Sequence, residues 1–393
     1  MKNVVSLQRC AEYDSCKLKG VLQTAIDDLG GLYKFLNRDE TVLLKINLLI
    51  KSKPEDAVTV HPIFVKALSE ILLDAGINII IGDSSGGPFN RLYMRAIYKA
   101  SGMLDIVSDL DAYIEKQGYS VFVKLNDNFK SFEKTVKDGK IVNSLTLTDM
   151  LNDVDKVISV SKLKTHGMMT FTGAVKNLFG TVPGVLKAEY HFKMSKLNDF
   201  ANLLIDICET VSPVLSFMDG IVGMEGEGPS AGNPRKIETI IVSNSPYHLD
   251  LVATNIINLK HSKVPTIIES ITRGICDKNH TDYKLTGCKL ETLKVKDFIV
   301  PESYGLHFAG RGPVFLQKFL DSILKPKPVF KERGCIGCKI CYDACPPKAI
   351  TMQNNKAKVD LNSCIRCFCC HELCPEKTID IHRPLLMKLL ARL

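Results

Sequence analysis

Nine of the fourteen cysteines in this 393-residue chain fall between positions 335 and 374. They form two runs. Cys335, Cys338, Cys341 and Cys345 are followed by Pro346; Cys364, Cys367, Cys370 and Cys374 are followed by Pro375. Both runs read C-x2-C-x2-C-x3-C-P, and the second starts 29 residues after the first (335 to 364), so the segment is an internal duplication. Three thiolates spaced this way wrap one cubane in a tight loop, while the fourth points away and ligates the other cluster. The spacing therefore assigns Cys335, Cys338, Cys341 and Cys374 to one 4Fe–4S cluster. Cys364, Cys367, Cys370 and Cys345 are assigned to a second. A zinc site would predict neither the trailing Cys-Pro nor the exchange between runs. Cys369 is an extra thiol, read as a bystander or else as a spare ligand should a cluster lose iron. Cys10, Cys16, Cys208, Cys276 and Cys288 show no ligand spacing and read as ordinary thiols.

A second set of chemically capable residues lies upstream. Lys162, Lys164 and His166 are spaced by two, so an extended chain turns all three to one face and makes a strip for carboxylate or phosphate. Lys45 and Asp83 each follow or end an apolar run. Glu225 and Glu227 could bind a cation or act as acid and base, and Gly226 and Gly228 would let backbone N–H groups approach a ligand. The Gly226-x-Gly228-x-x-x-Gly232 spacing misses the dinucleotide fingerprint by one residue, and no phosphate-binding P-loop occurs. His61 precedes a proline where a helix starts and is read as either cap or chemistry; His191 is read as structural.

These residues need elements to hold them. Short apolar runs at 41–46, 77–81, 156–160, 214–218 and 239–242 read as buried strands. Helical patterns at 61–75 and 197–211 lie between them. The alternation predicts an α/β fold: a mainly parallel-sheet large domain over 1–322. Ligands of such sheets sit beyond the carboxyl ends of the strands. Four polar or glycine-rich segments, read as loops, follow the strands at 45–50, 82–88, 161–167 (running into 172–180) and 218–229 and would converge on one pocket. A Lys-Pro-rich linker over 323–333 is expected to be extended. It leads to a small α+β two-cluster ferredoxin-like domain over 334–383, with strand-like segments at 349–352 and 378–381. A basic apolar helical tail spans 384–393.

Composition narrows the function classes. With 45% hydrophobic and 24% charged residues the chain is an ordinary globular one. No apolar stretch suffices to span a bilayer, and the N-terminus has no secretory h-region, so a cytoplasmic location is expected. Net charge is +8, without tryptophan or a nucleic-acid module signature, which suits an anionic small molecule or an acidic partner protein and does not call for nucleic acid.

The large domain resembles the "domain of unknown function 362" family. The resemblance rests on Val42 to Leu49, Gly82-Asp83-Ser84, Lys162 to His166, Gly173 to Gly180 and Asp219 to Pro229. Members often carry a bacterial-type ferredoxin module. The resemblance implies this domain layout and adds little chemistry.

Three functions follow from these readings. The chain is an oxidoreductase that takes electrons from a redox partner protein and passes them through two 4Fe–4S clusters to a substrate or cofactor at the large domain. Alternatively it is a ferredoxin-type carrier or scaffold without its own reaction, or a non-redox enzyme on an anionic metabolite with clusters as sensor or staple. Clusters of this kind degrade in air, so an anaerobic setting is expected.

Overall fold

The computed structural model describes residues 3–194, 196–279, 281–301 and 326–384. The strands are β1 (Asn3–Arg9), β2 (Thr41–Ile46), β3 (Asn78–Gly82), β4 (Val123–Leu125), β5 (Ser131–Thr135), β6 (Ser144–Thr148), β7 (Lys156–His166), β8 (Thr170–Thr172), β9 (Leu215–Glu225), β10 (Asn233–Ser243), β11 (Tyr283–Gly287), β12 (Lys327–Phe330), β13 (Ile350–Gln353), β14 (Lys356–Val359) and β15 (Ile379–His382). The helices are α1 (Ser15–Asp28), α2 (Pro62–Asp74), α3 (Arg91–Ala100), α4 (Met103–Gln117), α5 (Ala174–Asn177), α6 (Leu186–Lys193), α7 (Leu197–Val211), α8 (Pro246–Ile256), α9 (Pro265–Thr272), α10 (Ile340–Asp343) and α11 (Cys369–Leu373).

One nine-stranded sheet organises the large domain, in the order β11-β1-β10-β9-β7-β2-β3-β4, with β8 beside the end of β7. The run from β9 to β4 is parallel; β10 turns antiparallel against both β9 and β1. Strands buried on both faces need helices on both faces. Val42, Leu44 and Ile46 of β2 face a core shared with α1 to α4. Met218 and Ile241 face a second core built with α7, α8 and α9. The fold is α/β with a mainly parallel sheet, as the sequence predicts. The helix expected at 61–75 is α2, capped by His61, whose Nδ1 accepts from the Ile63 amide at 3.3 Å. His191 is buried and stacked on Phe200, with ring centroids 4.2 Å apart.

Two expected loops are strand. Residues 161–166 continue β7, and 218–225 continue β9. Their polar side chains can lie inside because backbone carbonyls satisfy them: Ser161 Oγ donates to the Phe217 carbonyl at 3.1 Å and Thr165 Oγ1 to that of Gly226 at 2.8 Å. The small domain forms two antiparallel pairs, β12–β15 and β13–β14. Residues 327–330 of the expected linker are thus the first strand of that domain. Most of the expected tail, 385–393, lies outside the described residues, as do 302–325. Among the described residues no helix is long and apolar enough to cross a membrane.

Candidate functional site

Two cavities in the small domain are lined by cysteines. One, with about 430 Å³ of empty space partly open to solvent, is lined by Cys335, Cys338, Cys341 and Cys374. The other, about 350 Å³, is lined by Cys345, Cys364, Cys367 and Cys370, with Cys369 beside them. The loops reach this shape through residues in the left-handed region: Gly337 (φ 69°), Lys339 (φ 63°), Arg366 (φ 58°) and Phe368 (φ 61°). Backbone amides turn toward sulfur, from Arg366 to Cys364 and from Thr378 to Cys374, both at 3.4 Å. Thiols around a void, with N–H groups aimed at them, fit a cubane cluster. Cys369 is buried; its side-chain hydrogen bond to Cys367 pulls that thiol below its ordinary value.

The second centre is a cleft of about 450 Å³ at the carboxyl ends of the parallel strands. All four segments that the sequence sends there contribute. Asn47 and Leu49 follow β2; Asp83, Ser84 and Gly86 follow β3; Lys164 lies near the end of β7; Pro229 follows β9. Lys176 and Asn177 of α5 and Lys187 of α6 complete the wall. Sequence reasoning assigned no role to Lys176, Asn177 or Lys187. Lys176 and Asn177 stand inside a quoted motif, but nothing in the local pattern of α6 marks Lys187.

The sequence-predicted residues divide here. Lys45 is wholly buried, and its Nζ lies 2.8 Å from Asp83 Oδ1 and donates to the Ile46 carbonyl. Asp83 also accepts from the Leu48 amide at 2.8 Å. A Cβ on Gly180 would come within 2.0 Å of Asp83 Oδ1 and 2.5 Å of Lys45 Nζ, so this pair requires glycine there. Lys162 does not reach the cleft. A register irregularity between Lys162 and Lys164 separates them, and Lys162 is buried against Asp219 at 2.8 Å and the Tyr13 hydroxyl at 2.9 Å. Tyr13 in turn donates to Asp219 at 2.8 Å and stacks on His61.

Glu225 and Glu227 are also drawn away. Glu225 accepts from the Ile299 amide at 3.0 Å, and Glu227 pairs with Arg383 at 2.7 Å. Gly226 and Gly228 sit in the turn between β9 and β10. Gly226 has φ 79°, and Gly228 packs against the Thr165 carbonyl so closely that a Cβ would lie 2.2 Å from it.

Burial tunes what remains. Lys164 donates to the Val58 carbonyl at 2.7 Å, and burial, with Lys176 adding repulsion, lowers its pKa to about 7. Lys187 donates to the Ser84 carbonyl and hydroxyl and to the Ser85 carbonyl, and burial lowers it to about 7 as well. Lys176 is lowered by burial too. His166 is fully buried and held well below its ordinary value by burial and nearby lysines.

The small domain forms part of the surroundings of this cleft. Ala344 and Leu373 pack with Ile50, Ala57, Val58 and Met224. Ser230 Oγ donates to the Glu372 carbonyl at 2.8 Å. Glu372, one turn along α11 from Cys369, lies 3.4 Å from His166 and within electrostatic reach of Lys176 and Lys164; burial pushes its carboxyl up. No sequence motif marks Glu372, because its role arises only when the domains dock.

Residues 42–255, more than half of the chain, match the family described as "Domain of unknown function (DUF362)". The chain belongs to this family. Every large-domain residue lining the cleft falls inside the matched range of DUF362. Residues 327–375 match a 4Fe-4S dicluster domain, which supports an iron–sulfur electron-transfer role for this DUF362 protein; two clusters are consistent with that match. It is 31% identical over 314 residues to the thylakoid-associated protein sll1697 of Synechocystis sp. (strain ATCC 27184 / PCC 6803 / Kazusa), covering 78% of this chain and 92% of that one. Two solved structures share parts of the shape. One is a protein from Thermotoga maritima (TM-score 0.33, 12% identity, 58% of this chain and 55% of that one). The other is the lactate racemase apoprotein of Thermoanaerobacterium thermosaccharolyticum (TM-score 0.37, 10% identity, 64% and 57%). The chain spans little more than half the length of either, and at these scores neither bears on its chemistry.

Proposed function

We propose that this DUF362 protein is an oxidoreductase in which the small domain passes electrons from a redox partner protein to an anionic substrate in the lysine cleft. The observation that carries this reading is the position of α11. It bears Cys369 and Cys370, and its Glu372 and Leu373 pack beside the cleft. The residues that would hold one 4Fe–4S cluster are Cys335, Cys338, Cys341 and Cys374; Cys364, Cys367, Cys370 and Cys345 would hold the other. Clusters of this type supply one electron each.

The chain's own residues supply the rest. A two-electron reduction of a neutral double bond takes up two protons. Lys164 and Lys187, both lowered to about 7, hold transferable protons at Nζ near neutral pH. The Lys45–Asp83 pair braces the floor and leaves neither group free. Apolar packing of Leu373 and Ala344 against Val58 and Met224 keeps water from the seam between the domains. The setting that goes with this chemistry is a reducing, low-oxygen cytoplasm.

The test is anaerobic. Protein reduced with dithionite is mixed with small-molecule fractions, and reoxidation is followed by visible absorbance. Reoxidation by a small molecule that slows at least tenfold in Lys164→Gln supports the reading. Reoxidation only by protein partners, unaffected by Lys164→Gln, makes the chain an electron carrier instead.

A further inference from the structure

We infer that the cleft is built for a small molecule carrying two negative charges, received by Lys164, Lys176 and Lys187. This deepens the proposed function and rests on it for the identity of the site.

The argument is one of charge. Three lysines from three separate elements, β7, α5 and α6, line one cleft. Among the described residues no carboxylate oxygen lies within 4.0 Å of any of the three Nζ atoms. The cleft-lining carboxylate, Asp83, is already spent on Lys45 and on the Leu48 amide. The three cations also repel one another, since Lys176 disfavours the charged form of both Lys164 and Lys187. Glu372 and Asp83 offset part of this charge at longer range, but the buried positive charge left over is costly. One monoanion would leave part of it uncompensated. A dianion answers it.

The positions are prepared for such a ligand. Lys187 is fastened by three oxygens of Ser84 and Ser85, and Lys164 by the Val58 carbonyl. Both ammonium groups are therefore fixed before anything binds, which lowers the ordering cost of recognition; Lys187, its three N–H groups already donated, meets the ligand by charge, while Lys164 keeps N–H groups to donate. Asn47, also on the cleft wall, has a buried amide oxygen with no hydrogen-bond partner. That oxygen would accept from a hydroxyl or an acid proton. Leu49, Phe179 and Pro229 offer apolar surface to a short carbon body. About 450 Å³, part of it solvent, suits a metabolite of a few carbon atoms. The acidic groups are carboxylate or phosphate; both are dianion chemistry, and the probes separate them.

The experiment is isothermal titration of the full chain, clusters intact and oxidised, at neutral pH and low salt. The probes are succinate, inorganic phosphate and acetate. Succinate or phosphate should bind at least tenfold more tightly than acetate, and the tighter of the two names the acidic group. Lys187→Gln should weaken that binding tenfold or more, while Lys187→Arg, which keeps the charge, should weaken it less. The melting temperature of each variant verifies the fold. Acetate binding as tightly as both dianions, no saturable dianion binding, or dianion binding unchanged in Lys187→Gln would each overturn the inference. Because the clusters stay oxidised, binding can succeed while electron delivery fails, so the two proposals fail separately.

Discussion

His166 of the large domain lies with its Nε2 3.4 Å from Glu372 Oε1 of the small domain. Its Nδ1 accepts from the amides of Met168 and Met169, at 3.1 and 3.2 Å. A nitrogen that accepts carries no proton, so the imidazole proton sits on Nε2 and faces Glu372. Burial and the neighbouring lysines keep the ring neutral by holding its pKa well below the ordinary value, and the two amides fix the tautomer. The contact lies where α11 meets the large domain.

That seam predicts a specific disruption. A Cβ on Gly86 would come within 2.2 Å of Leu373 Cδ2. Gly86→Val should therefore push α11 outward and raise hydrogen exchange over 369–373, with iron content unchanged. Adding Leu373→Ala should restore protection by making room. If Gly86→Val leaves exchange over 369–373 at the wild-type rate, the docking described here is wrong.

Lys162 should act on stability and not on ligand binding. Lys162→Met strands Asp219, which is wholly buried, and should cost roughly 3–5 kcal/mol in chemical denaturation. Lys162→Met combined with Asp219→Leu should recover part of that loss, because a buried pair replaced whole by apolar groups is often tolerated. A single variant as stable as wild type would show that the pair is not buried as described.

Stability should rise with pH above neutrality. In the folded chain Lys164 and Lys187 titrate near 7, against an ordinary value of 10.5. Between those values the unfolded chain binds more protons, so unfolding free energy increases with pH. The penalty is full below about pH 7 and relieved toward pH 10. Each lysine contributes a slope approaching about 1.4 kcal/mol per pH unit. Urea midpoints measured from pH 7 to 9.5 should climb less steeply in Lys164→Gln than in wild type. Equal slopes would mean that Lys164 keeps its proton throughout.

The cysteine assignment makes its own prediction. Cys369→Ser should retain about eight iron per chain, since Cys369, though it lines the same cavity, donates to Cys367 and falls outside the repeated ligand spacing. Cys370→Ser should lose or convert the cluster beside the cleft and leave the outer one, visible as a changed electron paramagnetic resonance signal after reduction. Loss of iron in Cys369→Ser would exchange the two roles.

The cysteine spacing and the strand pattern were legible without coordinates because both are local. A C-x2-C-x2-C-x3-C-P run closes around its metal within a dozen residues, and β2 and α7 occupy the residues their apolar patterns predict. The pairing of polar groups was not local. Lys162 and Lys164 are indistinguishable in sequence, yet Asp219 claims one and the cleft keeps the other, across strands 57 residues apart for the Lys162–Asp219 contact. Polar stretches read as loops became buried strand for the same reason: their partners come from neighbouring strands. Lys187 and Glu372 gained their places only through packing of α6 and docking of α11. Spacing along the chain determines what can close on itself, whereas burial decides which charges are neutralised and which are left facing a ligand.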